Sequence, residues 1–137
     1  MEIEGLIKIG IATKDMEKTT ALLADALCLV PSEAVVYPPF GMRYRILKLG
    51  DFYIEVMEPT GSDGPIAKFL EKNGEGLHHV TFKVSNVEQA MADLNSRGAR
   101  FTTSAPAKVK TAIGLVKFAF MSPRGSNGVL VQLMEML

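Results

Sequence analysis

Residues 6–17, LIKIGIATKDME, and residues 77–88, LHHVTFKVSNVE, share one pattern, and this pattern decides the fold. Each begins with an apolar-rich stretch typical of a strand and then reaches an Asp or Asn that favours the start of a helix. Residues 54–58, IEVME, likewise return as residues 131–135, VQLME, and both alternate as half-buried strands do. Two matches in the same order indicate an internal duplication.

Each half of the chain is predicted to contain a strand, a helix and three further strands. We therefore predict an α+β fold in which two repeated βαβββ modules form a curved mixed sheet around a cleft. One domain is expected over residues 1–137, with module one at about 1–60, a linker helix at about 64–73 and module two at about 76–137. The three strands that close each module are predicted at 35–37, 43–49 and 52–58, and at 99–102, 115–121 and 129–135.

Composition narrows the functional classes. The 137 residues are 47% hydrophobic, and fifteen Lys plus Arg balance fifteen Asp plus Glu, which argues against a nucleic-acid or membrane-surface partner. No apolar run is long enough to cross a membrane. Cys28 is the sole cysteine, which favours a reducing, cytoplasmic location, and its place near the end of the first helix predicts buried packing.

The repeat also selects candidate site residues. It puts Lys8 and His79 at equivalent positions near the start of each module, and Glu55 and Gln132 at equivalent positions in each closing strand. Their convergence at the cleft is a hypothesis. His78 alternates to the opposite face of its strand and is interpreted as structural.

The chain resembles the vicinal oxygen chelate superfamily, which includes glyoxalase I, extradiol dioxygenases and bleomycin-resistance proteins, and within it the methylmalonyl-CoA epimerases. The matching segments occur in the expected order over nearly the whole chain. They are IGIA at 9–12, LGD at 49–51, IEVMEP at 54–59, PIAKFL at 65–70, GEGLHHV at 74–80 and GVLV at 128–131.

The resemblance implies a divalent metal held by one residue from each of four strands, at the positions of Lys8, Glu55, His79 and Gln132. Only Glu55 and His79 keep the ligand type that the family uses. A charged Lys8 has no lone pair for a metal, and Gln132 offers a neutral oxygen where the family has a carboxylate. Two cofactor states stay open: no metal, or a weakly bound divalent metal on Glu55, His79 and Gln132.

The acid–base residues that the resemblance implies are also changed. The family removes and returns a proton with two carboxylates, and the matching positions here hold Pro39 and Gln132. Neither side chain can exchange a proton near neutral pH. Residues 108–114 are interpreted as an altered form of the glycine-rich turn before the seventh strand.

These observations favour a methylmalonyl-CoA epimerase-like protein that moves a proton next to a carbonyl of a small acyl-thioester or carboxylate. In this hypothesis Lys8 is the electrophile and His79 the base, while Glu55 orients them and Gln132 donates a hydrogen bond. The alternative is a non-catalytic small-molecule binding protein of the bleomycin-resistance type. An isomerase, epimerase or lyase is favoured over it, and a homodimer is expected because paired modules leave edge strands exposed.

Overall fold

The computed structural model describes all residues, Met1–Leu137, as eight strands and three α-helices. The strands are β1 (Ile3–Ala12), β2 (Val35–Tyr37), β3 (Met42–Leu49), β4 (Phe52–Pro59), β5 (Gly76–Val84), β6 (Ala107–Thr111), β7 (Gly114–Phe120) and β8 (Val131–Met136). The helices are α1 (Met16–Leu27), α2 (Pro65–Asn73) and α3 (Val87–Ser96). None of the helices is long and apolar enough to span a membrane.

The chain divides into two compact units. The first unit is Lys8–His78, and the second unit combines Met1–Ile7 with His79–Leu137. Along the chain the elements run β1-α1-β2-β3-β4, then α2, then β5-α3-β6-β7-β8. The predicted α+β class and its two βαβββ repeats are therefore confirmed.

The sheet of the first unit places Glu55 in a central strand. Its strand order is β2-β3-β4-β1, in which β1 runs parallel to β4 and the other neighbours are antiparallel. Gly10 of β1 lies opposite Glu55 on one side, and Ile46 of β3 lies opposite it on the other. A tight turn joins β3 and β4, with Gly50 in the left-handed region at φ 56°.

The sheet of the second unit repeats this arrangement around Gln132. Its order is β5-β8-β7-β6, with β5 parallel to β8 and the remaining pairs antiparallel. Thr81 of β5 lies opposite Gln132 on one side, and Phe120 of β7 lies opposite it on the other. Gln132 therefore occupies in the second unit the register position that Glu55 occupies in the first.

In each unit, a glutamate from the last strand fixes the start of the helix that follows the first strand, α1 or α3. The backbone N–H of Met16 donates to Glu58 Oε1 at 3.1 Å, and the backbone N–H of Val87 donates to Glu135 Oε2 at 2.9 Å. These carboxylates satisfy an otherwise unpaired helix N–H and carry negative charge at the positive end of the helix dipole. The same contact in both units is further structural support for the duplication.

Each sheet buries an apolar face under its helix. The buried residues of these clusters are Met16, Leu47, Ile54 and Val56 in the first unit, and Val84, Val87, Ala90, Met91, Ala119 and Leu133 in the second. Side chains alternate along a strand, so the residues next to these point to the other face. Lys8 and Glu55 lie on that other face in the first unit, and His79 and Gln132 lie on it in the second.

The sixth strand is not where the sequence predicts it. Residues 99–102 form no strand and make only an isolated bridge, between Phe101 and Met121. The strand lies instead at Ala107–Thr111, inside the segment interpreted as an altered turn. Alternation of lysine with apolar or β-branched residues allows this segment to form an exposed edge strand, and edge lysines discourage pairing with other chains.

The true turn between β6 and β7 is much shorter than the predicted one. It is closed by the side chain of Thr111, whose hydroxyl donates to the Gly114 carbonyl oxygen at 2.8 Å. The Thr111 hydroxyl oxygen in turn accepts from the Ile113 backbone N–H at 3.2 Å. Gly114 has φ 120°, a backbone conformation that side chains rarely adopt, so one glycine is sufficient for the hairpin.

The prediction that Cys28 is buried is wrong. Its side chain is exposed, and its backbone is left-handed (φ 54°, ψ 49°) where it ends α1. At the end of α3 the residue with positive φ is Gly98, at φ 97°, one position after the C-cap Arg97. A helix C-terminus commonly needs a left-handed residue, and glycine adopts this conformation without the steric cost that a Cβ atom brings.

Replacing Cys28 with glycine should therefore stabilise the protein. We expect Cys28→Gly to raise the free energy of unfolding by about 1 kcal/mol, because it relieves left-handed strain and removes no buried contact. Ala26→Gly, at an exposed position within α1, should lower it by about 1 kcal/mol. Urea unfolding of the three proteins measures both, and equal losses in the two variants would contradict this account of the cap.

Candidate functional site

A buried ion pair joins the first and last strands of the first unit. Lys8 Nζ donates to Glu55 Oε1 at 3.0 Å, and the two side chains are only 5% and 9% exposed. Charged side chains are seldom buried to this degree unless they are paired. Removing one partner leaves the other as an uncompensated buried charge, which typically costs about 3–5 kcal/mol. The pair thus holds an ammonium group at a fixed place on the face opposite α1.

His78 is partly buried, senses the charge of Lys8 and is held neutral. Its ring makes an edge-to-face contact with Phe69, with centroids 4.9 Å apart. Burial, and secondarily the positive charge of Lys8, lowers the pKa of His78 from its ordinary 6.5 to about 4. An uncharged imidazole packed on an aromatic ring is consistent with the structural role interpreted for His78.

The second unit carries three buried polar side chains on the face opposite α3. His79 is 5% exposed, Gln132 is 4% exposed and Thr81 is fully buried. The Thr81 hydroxyl donates to Gln132 Oε1 at 2.7 Å. The His79 ring contacts Phe120 edge to face, with centroids 5.5 Å apart. Phe120 is also the register neighbour of Gln132, so these four side chains share one face of the sheet.

The structure thus groups the sequence-predicted residues into two pairs, one in each unit. Lys8 and Glu55 are in direct contact, while His79 and Gln132 lie on adjacent strands of the other unit. Their roles, and their action on a single ligand, stay predictions. Sequence reasoning missed Thr81, although it stands two residues after His79 on the same strand face. The signal was a hydroxyl at the register position opposite Gln132, where the first repeat has Gly10.

The segment that carries a carboxylate in the family forms a rigid turn here. Pro38–Phe40 is a short 3₁₀ turn, closed by the Gly41 backbone N–H donating to the Pro38 carbonyl oxygen at 3.0 Å. Gly64 packs against it so closely that a Cβ atom there would lie 2.5 Å from the Phe40 carbonyl oxygen. Pro39 therefore contributes shape and no titratable group.

The residues at the positions that the resemblance assigns to a metal do not suit a divalent cation. The Lys8 ammonium, a resident positive charge, sits directly on the carboxylate of Glu55. In the other unit the side-chain oxygen of Gln132 accepts the Thr81 hydroxyl. No group of three or more His, Cys, Asp or Glu side chains is arranged to hold a metal ion.

Comparison with known proteins identifies relatives over almost the whole chain. Residues 8–120 match the model of the glyoxalase/bleomycin resistance protein/dioxygenase superfamily. Human mitochondrial methylmalonyl-CoA epimerase is 36% identical over 126 residues, which cover 91% of this chain and 70% of the human protein.

Solved structures give the same result for the fold. A methylmalonyl-CoA epimerase in complex with methylmalonyl-CoA and NH4+ superposes with a TM-score of 0.90 at 28% identity, covering 98% of this chain and 96% of that one. A Streptomyces coelicolor methylmalonyl-CoA epimerase variant in complex with 2-nitronate-propionyl-CoA has the same TM-score and identity, covering 98% and 99%. The fold of this chain is therefore that of the epimerases.

The neutral state of His78 predicts a loss of stability in mild acid. The unfolded chain takes up this proton near pH 6.5 and the folded chain only near pH 4, so stability falls as the pH drops through this window. Between pH 7 and 5 the wild type should lose about 1 kcal/mol more than His78→Phe, which keeps an aromatic contact with Phe69 but cannot titrate. Urea unfolding at both pH values measures this, and equal losses would show that His78 does not carry the effect.

Proposed function

This chain belongs to the vicinal oxygen chelate superfamily, with methylmalonyl-CoA epimerases among its relatives, and we propose that it moves a proton on the carbon next to an acyl-thioester carbonyl. The ligand class is a small acyl-CoA, with methylmalonyl-CoA as the first candidate because relatives are named for it or hold it. The observation that carries the proposal is the buried Lys8–Glu55 ion pair.

In this proposal the Lys8 ammonium is the electrophile. When the proton leaves the carbon, its electron pair moves into the carbonyl and charge develops on the carbonyl oxygen. A preorganised positive charge aimed at that oxygen stabilises the enolate more than the starting thioester, which is the differential binding that catalysis needs. Glu55 holds the ammonium in place.

His79 is proposed as the base, because imidazole is the side chain whose ordinary pKa is nearest neutrality. Its edge contact with Phe120 restrains the ring. Gln132 donates a hydrogen bond to the developing oxyanion and takes no proton. With Pro39 and Gln132 in place of two carboxylates, no second acid is assigned for the opposite face. The proton therefore returns from His79 or from water. Exchange of this proton with solvent should be faster than inversion of the configuration at the carbon.

The proposal further includes chemistry without a tightly bound metal, since Lys8 supplies the positive charge that a cation would otherwise bring. A cytoplasmic location and a homodimer complete it. Both follow from the single exposed cysteine and the exposed edge strands rather than from the site.

Hydrogen exchange tests the proposed reaction. The purified protein is incubated with methylmalonyl-CoA in D2O. The thioester should gain one deuterium at the carbon next to its carbonyl, and mass spectrometry measures this gain over time. Lys8→Met, which keeps the length and removes the charge, should slow the exchange by about 10²-fold or more. Lys48→Met changes an exposed lysine of the same unit and should stay within about twofold of the wild type.

Two outcomes would contradict the proposal. Tight binding of methylmalonyl-CoA with no deuterium uptake by any protein would favour the non-catalytic binding function instead. Equal rates for wild type and Lys8→Met would remove Lys8 from the chemistry. The double variant Lys8→Met/Glu55→Gln replaces the ion pair with a neutral pair, and its circular dichroism spectrum checks that loss of exchange does not reflect unfolding.

Metal titration tests the proposed role of the ammonium separately. Wild-type exchange should be unchanged by EDTA, and calorimetry should detect no stoichiometric Co²⁺ site. Lys8→His/Gln132→Glu removes the resident cation and supplies an imidazole and a carboxylate, so it should bind one Co²⁺ with a micromolar or lower Kd. One equivalent of Co²⁺ bound by the wild type, with exchange lost on chelation, would overturn the metal-free reaction.

A further inference from the structure

The orientation of the Gln132 side-chain amide is fixed by one contact. Its Oε1 accepts the Thr81 hydroxyl at 2.7 Å, a distance typical of an O–H···O hydrogen bond and shorter than the usual N–H···O distance. Both residues are deeply buried, with Gln132 at 4% exposure and Thr81 at zero. The alternative orientation would turn Nε2 toward Thr81. Because the oxygen is satisfied by Thr81, the amide end that is left is the Nε2 donor.

The Nε2 protons have no partner within the chain. The side chain of Gln132 makes the Thr81 hydrogen bond and no other, although the residue is more than nine-tenths buried. Nε2 is not itself a buried orphan, because the one buried side-chain nitrogen or oxygen without a partner is Thr20 Oγ1; this donor therefore reaches the accessible surface. The Nε2 donor is therefore available to an acceptor oxygen that arrives with a ligand.

The register of the sheet shows that Thr81 is placed for this contact. Thr81 and Gln132 are direct partners in the parallel β5–β8 pair, so their side chains leave the same face at adjacent strands. Gly10 and Glu55 are the corresponding partners in the β1–β4 pair, and Gly10 offers no side chain. Glu55 is held instead by Lys8, which precedes Gly10 by two residues on β1. The two repeats thus orient their equivalent polar residues by different means, an ammonium for the acid and a hydroxyl for the amide.

We infer that Thr81 is a positioning residue that locks the Gln132 amide with its Nε2 protons available to an acceptor oxygen of the ligand. This inference rests on the proposed function and deepens it, because it assigns the ligand class that Gln132 recognises: an anionic oxygen such as that of a thioester enolate. No proton is transferred by either residue.

The test compares two variants of Thr81 against two acyl-CoA probes. Thr81→Val keeps the shape and removes the hydroxyl, whereas Thr81→Ser keeps the hydroxyl. Thr81→Val should lower kcat for deuterium exchange by about 10-fold or more and leave KM for methylmalonyl-CoA within about threefold. Thr81→Ser should retain most of the rate. Affinity for 2-nitronate-propionyl-CoA, which mimics the enolate anion, should fall with kcat in Thr81→Val, while affinity for propionyl-CoA should not.

A double variant and a surface control show whether Thr81 acts through Gln132. In the Gln132→Met background, Thr81→Val should have no further effect on kcat, because the amide that it positions is gone. Thr102→Val, at an exposed position in the same unit, should leave kcat and both affinities unchanged. Additive losses from Thr81→Val and Gln132→Met would overturn the inference, and so would equal losses in Thr81→Ser and Thr81→Val.

A measurement on the free protein keeps this inference distinguishable from the proposed function. In protein labelled with ¹⁵N-glutamine, the Gln132 side-chain amide signal is identified by its loss in Gln132→Met. It should move in Thr81→Val and stay nearly in place in Thr81→Ser. An unmoved signal in Thr81→Val overturns the positioning role, whatever the activity. If the signal moves in Thr81→Val but the wild type neither exchanges deuterium nor binds the nitronate, the Thr81–Gln132 contact is supported. The enolate assignment and the proposed function are then both overturned.

Discussion

Parallel pairing of the first and last strands is the constraint on which each repeat of this protein depends. A parallel pair cannot be closed by a tight turn, so each repeat must cross over through a helix and two intervening strands. The closing glutamates, Glu58 and Glu135, then reach the N-termini of those helices and fix the crossover. The same pairing brings β1 beside β4 and β5 beside β8. Every polar residue assigned a role in the proposed function lies on one of these four strands.

The burial of these polar residues determines what they can do chemically. The helix-covered face of each sheet is filled by apolar side chains. The opposite face carries a salt bridge in the first unit, and an imidazole, a hydroxyl and an amide in the second, all on buried residues. Keeping such groups out of water costs free energy unless each is satisfied by a partner or by a ligand. In the proposed function that cost becomes preorganisation: the charges and dipoles are already directed where negative charge will develop.

The repeat was visible in the sequence because it depends on local signals: strand alternation, helix caps and a tight turn. Those signals located Lys8, Glu55, His79 and Gln132 and the register equivalence between the halves. The sixth strand was misplaced because an edge strand of alternating lysines and small apolar residues has the composition of a loop. Cys28 was misassigned because left-handed backbone at a helix end is a conformational property that residue type alone does not reveal. Thr81 was missed because its importance comes from a cross-strand partner fifty-one positions away.

The departures from the family pattern are consistent with one another when each is considered with its new partner. A carboxylate at position 132 would accept the same Thr81 hydroxyl, and that bond would stabilise its charged form and weaken it as a base. For an amide the same hydrogen bond is useful, because the oxygen accepts from Thr81 and the Nε2 donor is directed to the ligand. In the same proposal Glu55 anchors the Lys8 ammonium, to which it is hydrogen bonded. The proposal thus replaces two acids with fixed hydrogen-bond donors: the Lys8 ammonium in the first unit and, in the second, the Gln132 amide held by Thr81.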